Sequence, residues 1–391
     1  MRRRTFLGIS SVIALPPAVS FAAAKRPAVA ALLASEKARV VQAAQRYLKE
    51  EPVTITAAHS PRSAGGPHDF FSEGDYWWPN PKDPNGPYIQ RDGMSNPENF
   101  VEHRKALMRL SVQVPALAAA WQLTADKRYA DRAAIHLRAW FLDPKTVMNP
   151  HLKFAQAIRN VVTGRSIGVI DTIHLVEVAR ALSVLERSKA LSAADQAGNK
   201  KWFSDYLTWI TTHPYGTQER DAKNNHGTCW VLQAAEFARY TGNATVSDFC
   251  RDRFKTVLLP NQMGPDGSFP QELRRTKPYG YSLFQLDIMS GVCQSLSTPK
   301  DNLWTFQLPD GRSMSKALDF MYPYVADKKR WPKQPDVMYF DQWPIRHPSL
   351  VFGGVALAKP EYLELAKKLN PEPTVDEVIR NYPIRQPALW L

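Results

Sequence analysis

Apolar residues recur at three- and four-residue steps over most of this chain, and that spacing constrains its fold more than any other feature. Leu107, Leu110, Val114, Leu117 and Trp121 mark one stripe of a long helix, in which Pro115 predicts a kink. After a turn at Thr124-Ala125-Asp126, the residues Tyr129, Ala133, Leu137 and Trp140 mark a second helix. The pattern returns where the helix of Trp230, Ala234 and Phe237 is separated from that of Phe249, Phe254 and Leu258 by Tyr240-Thr241-Gly242-Asn243. A first helix is expected over 25–50, and others over 152–160, 167–186, 200–212, 283–296, 313–326 and 361–370. Few stretches alternate with the period of a strand. A helical hairpin cannot cover its own apolar face, so hairpins stack, and the expected fold is all-α: an (α/α) toroid, or incomplete α/α barrel, of helical hairpins with long loops. No linker divides the chain, so 25–391 is read as a single domain.

Residues 1–24 are expected to lie outside that domain. Arg3-Arg4-Thr5-Phe6-Leu7 has the twin-arginine pattern, Ile9 to Val19 form a short apolar region, and Ala22-Ala23-Ala24 offer a small-residue cleavage site. The expected location is therefore the periplasm or the exterior. No other stretch approaches the ~18 apolar residues of a membrane span. A formal charge of +13, only partly due to Arg2, Arg3 and Arg4, favours an acidic polysaccharide over nucleic acid as the partner of an exported protein. The three cysteines Cys229, Cys250 and Cys293 are too few for a disulfide framework. Folding before export would account for free thiols there.

Two stretches carry chemistry. In Lys223-Asn224-Asn225-His226-Gly227-Thr228-Cys229-Trp230, two amides and an imidazole stand at the start of an apolar-periodic helix, where free backbone N–H groups and the positive dipole end can hold an anion. In Glu272-Leu273-Arg274-Arg275-Thr276-Lys277-Pro278-Tyr279-Gly280-Tyr281-Ser282, two guanidinium groups and two phenols surround a Pro/Gly turn. Together they supply what elimination from a uronic acid requires: partners for a carboxylate, a base for the adjacent carbon and a proton donor for the leaving oxygen. The loop-rich stretch 52–97 is the other functional segment, and its Trp77 and Trp78 are candidates for a sugar-stacking wall. Arg91, Arg165, Lys223, Arg274, Tyr279, Trp343 and His347 are further candidates for substrate contacts. The nine histidines form no His-Glu-x-x-His or Cys/His cluster, and neither a Gly-rich phosphate loop nor a Gly-x-Ser-x-Gly elbow is present, so neither metal nor cofactor is expected.

Four blocks give the chain a family likeness: Tyr76-Trp77-Trp78-Pro79-Asn80-Pro81 with Arg91-Asp92-Gly93; Met148-Asn149-Pro150 through Gln156 to Gly164-Arg165; Asn224-Asn225-His226-Gly227; and Glu272-Leu273-Arg274-Arg275-Thr276 with Tyr281-Ser282. In these the sequence resembles the alginate lyase superfamily of polyuronate lyases, which includes alginate and glucuronan lyases. The resemblance spans 76–282 and implies an (α/α) toroid whose groove binds a uronic acid chain and cleaves it by metal-independent β-elimination. By that likeness Asn225 and Arg275 match the positions that neutralise the substrate carboxylate, His226 the neutraliser or base, and Tyr281 the catalytic phenol. The Trp-Trp-Pro block with the Arg-Asp-Gly loop leans towards the glucuronan-lyase branch. Two other classes stay open on the sequence alone. A non-catalytic polyuronate-binding protein would share the groove, and a glycoside hydrolase on the same scaffold would need two carboxylates, for which Asp266 and Glu272 are the candidates.

Overall fold

The computed structural model describes residues 21–391; the export sequence expected at 1–24 falls almost entirely outside the described residues. Helix α1 runs Phe21–Tyr47. A largely irregular stretch follows, in which β1 (Phe71–Glu73), β2 (Trp77–Trp78) and β3 (Ile89–Gln90) lie. The chain then forms α2 (Glu102–Thr124) and α3 (Lys127–Phe141), strand β4 (Phe154–Ala157), α4 (Leu175–Leu185), α5 (Ala193–Thr212) and α6 (Pro214–Arg220). Next come α7 (Asn225–Thr241), α8 (Ala244–Arg253) and two short helices, α9 (Leu259–Gln262) and α10 (Pro270–Leu273). The remainder is α11 (Pro278–Leu296), α12 (Met314–Ala326), α13 (Pro348–Ala356), α14 (Pro360–Lys368) and α15 (Asp376–Arg380).

Their packing follows from which helices are apolar on every side. α4, α7, α11 and α13 are buried over almost their whole length, whereas α8 buries only Cys250. A helix hydrophobic all round must be covered all round. The covered helices form an inner ring in which α2 packs on α4, α4 on α7, α7 on α11 and α11 on α13, and α1 closes the circuit by touching both α13 and α2. Four of these inner helices have outer partners: α3 on α2, α5 and α8 on α7, α12 on α11, and α14 on α13. The result is the (α/α) toroid that the periodicity predicts.

Helix ends match the turn chemistry. Ala125 and Gly242 take left-handed conformations at the C-caps of α2 and α7, and Asp126 and Asn243 cap the helices that follow. Pro115 sits inside an uninterrupted α2. One expected element is corrected. The segment 152–160 is not a helix, because Gln156 and Asn160 have positive φ and 154–157 pairs in parallel with β1. This small pairing anchors the 52–97 stretch against the mouth of the ring. The antiparallel pair of β2 and β3 then projects Trp77 and Trp78 to opposite sides.

Candidate active site

The two motifs and the long loop meet in one cavity of about 430 Å³. The start of α7 supplies Asn225 and His226, the start of α11 supplies Tyr281, and the preceding turn supplies Arg275. Tyr76, Trp77 and Asp92 come from the long loop, and Arg165 from the segment after β4. The backbone needs glycine at two of these junctions. A Cβ on Gly227 would stand 2.3 Å from the carbonyl oxygen of Ala222, and one on Gly93, whose φ is +76°, would stand 2.3 Å from Thr276 Oγ1.

The anion at the start of α7 is the protein's own. Glu272 accepts from the Asn225 backbone N–H at 2.8 Å and from its Nδ2 at 2.7 Å. This corrects the expectation that those N–H groups stand free for a substrate. It also removes Glu272 from contention as a hydrolase carboxylate, since both oxygens are engaged and the residue is buried. Burial raises the Glu272 pKa, against the opposing pull of Asn225, Arg275 and His226.

His226 is oriented from behind. Its Nδ1 lies 2.6 Å from Glu219 Oε1 on α6, which fixes Nδ1–H as the donor and leaves Nε2 without a hydrogen-bond partner among the described residues. Burial lowers the imidazole pKa, but the Glu219 carboxylate outweighs it, with Glu272 adding to the effect, and the net shift is upward. His226 therefore carries positive charge to higher pH than an ordinary histidine.

Arg275 is held as a fork. Asp92 accepts from Nη2 at 2.6 Å and from Nε at 3.1 Å, and the guanidinium lies 4.5 Å from the Tyr281 ring centroid with Nη2 3.5 Å from its hydroxyl. The Tyr281 hydroxyl is 2.6 Å from that of Tyr76. Burial pushes the Tyr281 phenol well above the usual phenolic range, while Arg275 and the hydrogen bond from Tyr76 pull the other way. Tyr76 is itself pushed up by burial and by its phenolic neighbour. Two phenols sharing one short hydrogen bond beside a fixed guanidinium can hold a proton and stabilise its loss.

The proposed contact residues divide. Trp77 and Arg165 line the cavity, with the guanidinium 5.7 Å over the Trp77 ring and its Nε bonded to the Gln156 carbonyl at 2.9 Å. Trp78 faces away, donating from Nε1 to the Met94 carbonyl at 2.8 Å beneath Arg91, which stacks on it at 5.1 Å. Lys223 and Arg274 are exposed outside the cavity, Arg274 donating to Gln271. Tyr279 is sealed in the core, its hydroxyl bonded to the Tyr324 carbonyl at 2.9 Å. Trp343 is buried and stacked on His347, which is buried against Asp287 at 2.7 Å. Tyr279, Trp343 and His347 are all taken up by the interior: the Tyr279 hydroxyl and His347 Nδ1 bond within the fold, and Trp343 packs against His347.

Sequence reasoning missed Glu219, the placement of Tyr76 and Asp92, and Arg380 with Asn381. Tyr76 and Asp92 stood in recognisable blocks without an assigned role. Glu219 lies near the end of α6 and His226 at the start of α7, so their pairing crosses a break between helices and forms no motif. Arg380 and Asn381 reach the cavity only through tertiary structure.

A family model described as alginate lyase matches residues 54–331. Among solved structures, an alginate lyase from Bacteroides ovatus is 31% identical, with 96% of this chain and 98% of that one covered and a TM-score of 0.79. Alginate lyase A1-III from Sphingomonas species A1 shares the fold at 14% identity, 90% and 94% coverage and a TM-score of 0.52. A tetrasaccharide complex of an A1-III variant is similar at 13% identity, 88% coverage of each chain and a TM-score of 0.55. Among curated proteins none matches the sequence.

Proposed function

Because the chain belongs to the alginate lyase family and is a polysaccharide lyase, we propose that it cleaves a β-1,4-linked polyuronate by elimination across C4 and C5. We take mannuronate-rich alginate as the first substrate. In this reading the minor phenolate form of Tyr281, which Arg275 favours against the effect of burial, takes the C5 proton, the C5–H electron pair becomes the C4–C5 double bond as the C4–O4 bond breaks, and Tyr281 returns the proton to the departing O4. Arg275 and His226 balance the carboxylate charge that builds into the ring as C5 is deprotonated, and the Nδ2 hydrogen of Asn225 that Glu272 does not hold donates to it.

One observation carries the reading: the Tyr281 hydroxyl is bonded to Tyr76 and stacked against Arg275, in the cavity that His226 also faces. A single phenol serving as base and then acid suits substrates whose C5 hydrogen and O4 lie on one face, as in β-linked mannuronate and glucuronate. The raised pKa of His226 suits a positive partner for a carboxylate better than a base. Glucuronan is the second reading, on the resemblance that the Trp-Trp-Pro block and the Arg91-Asp92-Gly93 loop bear to the glucuronan-lyase branch. We also propose the periplasm or the exterior as the site of action, on the twin-arginine pattern.

The test is a panel of polymannuronate, polyguluronate, glucuronan and glycosaminoglycans, followed by the ultraviolet absorbance of the new double bond. Absorbance is expected to rise with polymannuronate or glucuronan and to stay flat with the others. Tyr281→Phe should lower kcat by ~10²–10⁴ while the KM changes little. Flat traces with every polyuronate, or products heavier by one water, would overturn the elimination reading.

A further inference from the structure

Three guanidinium groups line the cavity, and they differ in how much of their donor capacity is already used. Arg275 spends Nε and Nη2 on Asp92, and Arg165 spends Nε and Nη2 on Gln156. Arg380, at the end of α15, is ion-paired through Nη1 alone, to Asp75 and more distantly to Glu377 at 3.5 Å. Its Nε and Nη2 have no hydrogen-bond partner among the described residues. The side chain lines the cavity wall and keeps 21% exposure. Burial lowers its pKa to about 10, which leaves it charged at neutral pH.

The position is built. Glu377 on α15 takes an ion pair from Lys277 at 2.9 Å, and Asn381 Nδ2 is anchored on the Glu377 carbonyl at 2.8 Å. Further along, Glu177 of α4 accepts from the backbone N–H groups of Arg385 at 3.0 Å and Gln386 at 2.8 Å. A cation held this way reaches a ligand with little ordering entropy left to lose. The segment also lies beyond the residues that the family model matches. Among the described residues Arg380 makes no hydrogen bond to the phenols of Tyr281 and Tyr76 and does not stack on either ring, whereas Arg275 stacks directly on Tyr281.

We propose that Arg380 is a specificity-determining residue that binds the carboxylate of the uronate unit next to the one being cleaved. Nε and Nη2, which no protein group among the described residues holds, form the planar fork that matches a carboxylate. A polymer with an acid on every sugar presents such a group beside the reacting ring, and a neutral polysaccharide does not. The proposal rests on the polyuronate lyase reading above.

The experiment compares Arg380→Gln and Arg380→Lys with the parent, on the polymannuronate or glucuronan that the panel identifies. Steady-state kinetics are followed by ultraviolet absorbance, and calorimetric binding of a uronate tetramer is measured in a Tyr281→Phe background that arrests turnover. Arg380→Gln is expected to raise KM and weaken tetramer binding about tenfold with kcat within about twofold. Arg380→Lys keeps the charge but loses the fork, and should fall between the two even if Arg380→Gln does not fold. Unchanged KM and tetramer binding in both variants would overturn the proposal, as would a fall in kcat with KM unmoved, which would put Arg380 on the reacting sugar. A parent protein that neither cleaves nor binds any polyuronate would instead sink the lyase reading.

Discussion

At the scale of single residues, the site depends on side chains that hold other side chains. Glu219 and Asp92 make no bond to a sugar in the proposed reaction, yet each fixes the orientation and charge of the group in front of it. The pH behaviour of the first pair follows from the direction of its shift. The folded pKa of His226 is raised, so its pairing with Glu219 contributes stability that is fully present below the ordinary imidazole value of about 6.5 and is lost as pH rises through the folded value. Glu219→Gln should therefore lower the Tm most in mildly acidic buffer, with the gap to the parent closing in alkaline buffer. The same variant should move the His226 titration, followed by NMR of the ring protons, to lower pH. A Tm gap of constant size at all pH values would show that Glu219 matters through packing and not through charge.

Among the elements, α7 and α11 bring the chemistry together because they are neighbours in the inner ring and begin at the same rim. The turn before α7 is tight enough that Gly227 abuts the Ala222 carbonyl, and backbone cannot yield as a flexible side chain can. Gly227→Ala is expected to cost about 1–3 kcal/mol in denaturant unfolding and to lower kcat more than that loss of folded protein explains, because Asn225 and His226 shift with the turn. Activity that tracks only the folded fraction would argue against the coupling. On the far side, Glu177 of α4 secures the C-terminal segment by accepting from two backbone N–H groups and from the Trp390 indole at 3.1 Å. Glu177→Ala orphans these buried donors and should cost about 3 kcal/mol. If Arg380 depends on that anchor, the KM rises in the same variant.

For the molecule as a whole, the ring is held by packing and not by cross-links. Cys229, Cys250 and Cys293 are free and buried, and burial raises each thiol pKa, Cys250 to about 12. The folded protein should therefore react with an alkylating reagent only as fast as it opens, and should keep its activity and Tm in excess reductant. Rapid labelling of any of the three in native buffer would mean that the ring opens locally near that helix.

The sequence by itself determined the helical ring and the two polar blocks of Asn225-His226 and Arg275 to Tyr281, because periodic burial and clustered polar groups are local patterns, and the family likeness implied that the two blocks share one site. It also located the long loop, though not its strands, whose pairing depends on partners far along the chain. Tertiary structure alone decided which aromatic residues face the cavity. Trp77 and Trp78 differ only in the side of a strand they take, and Tyr279 and Tyr281 only in the side of a helix. It alone revealed that a carboxylate of the protein occupies the start of α7, and that Arg380 reaches the rim. Such facts depend on which distant segments meet, and no spacing within the chain encodes that meeting in a form that can be read residue by residue.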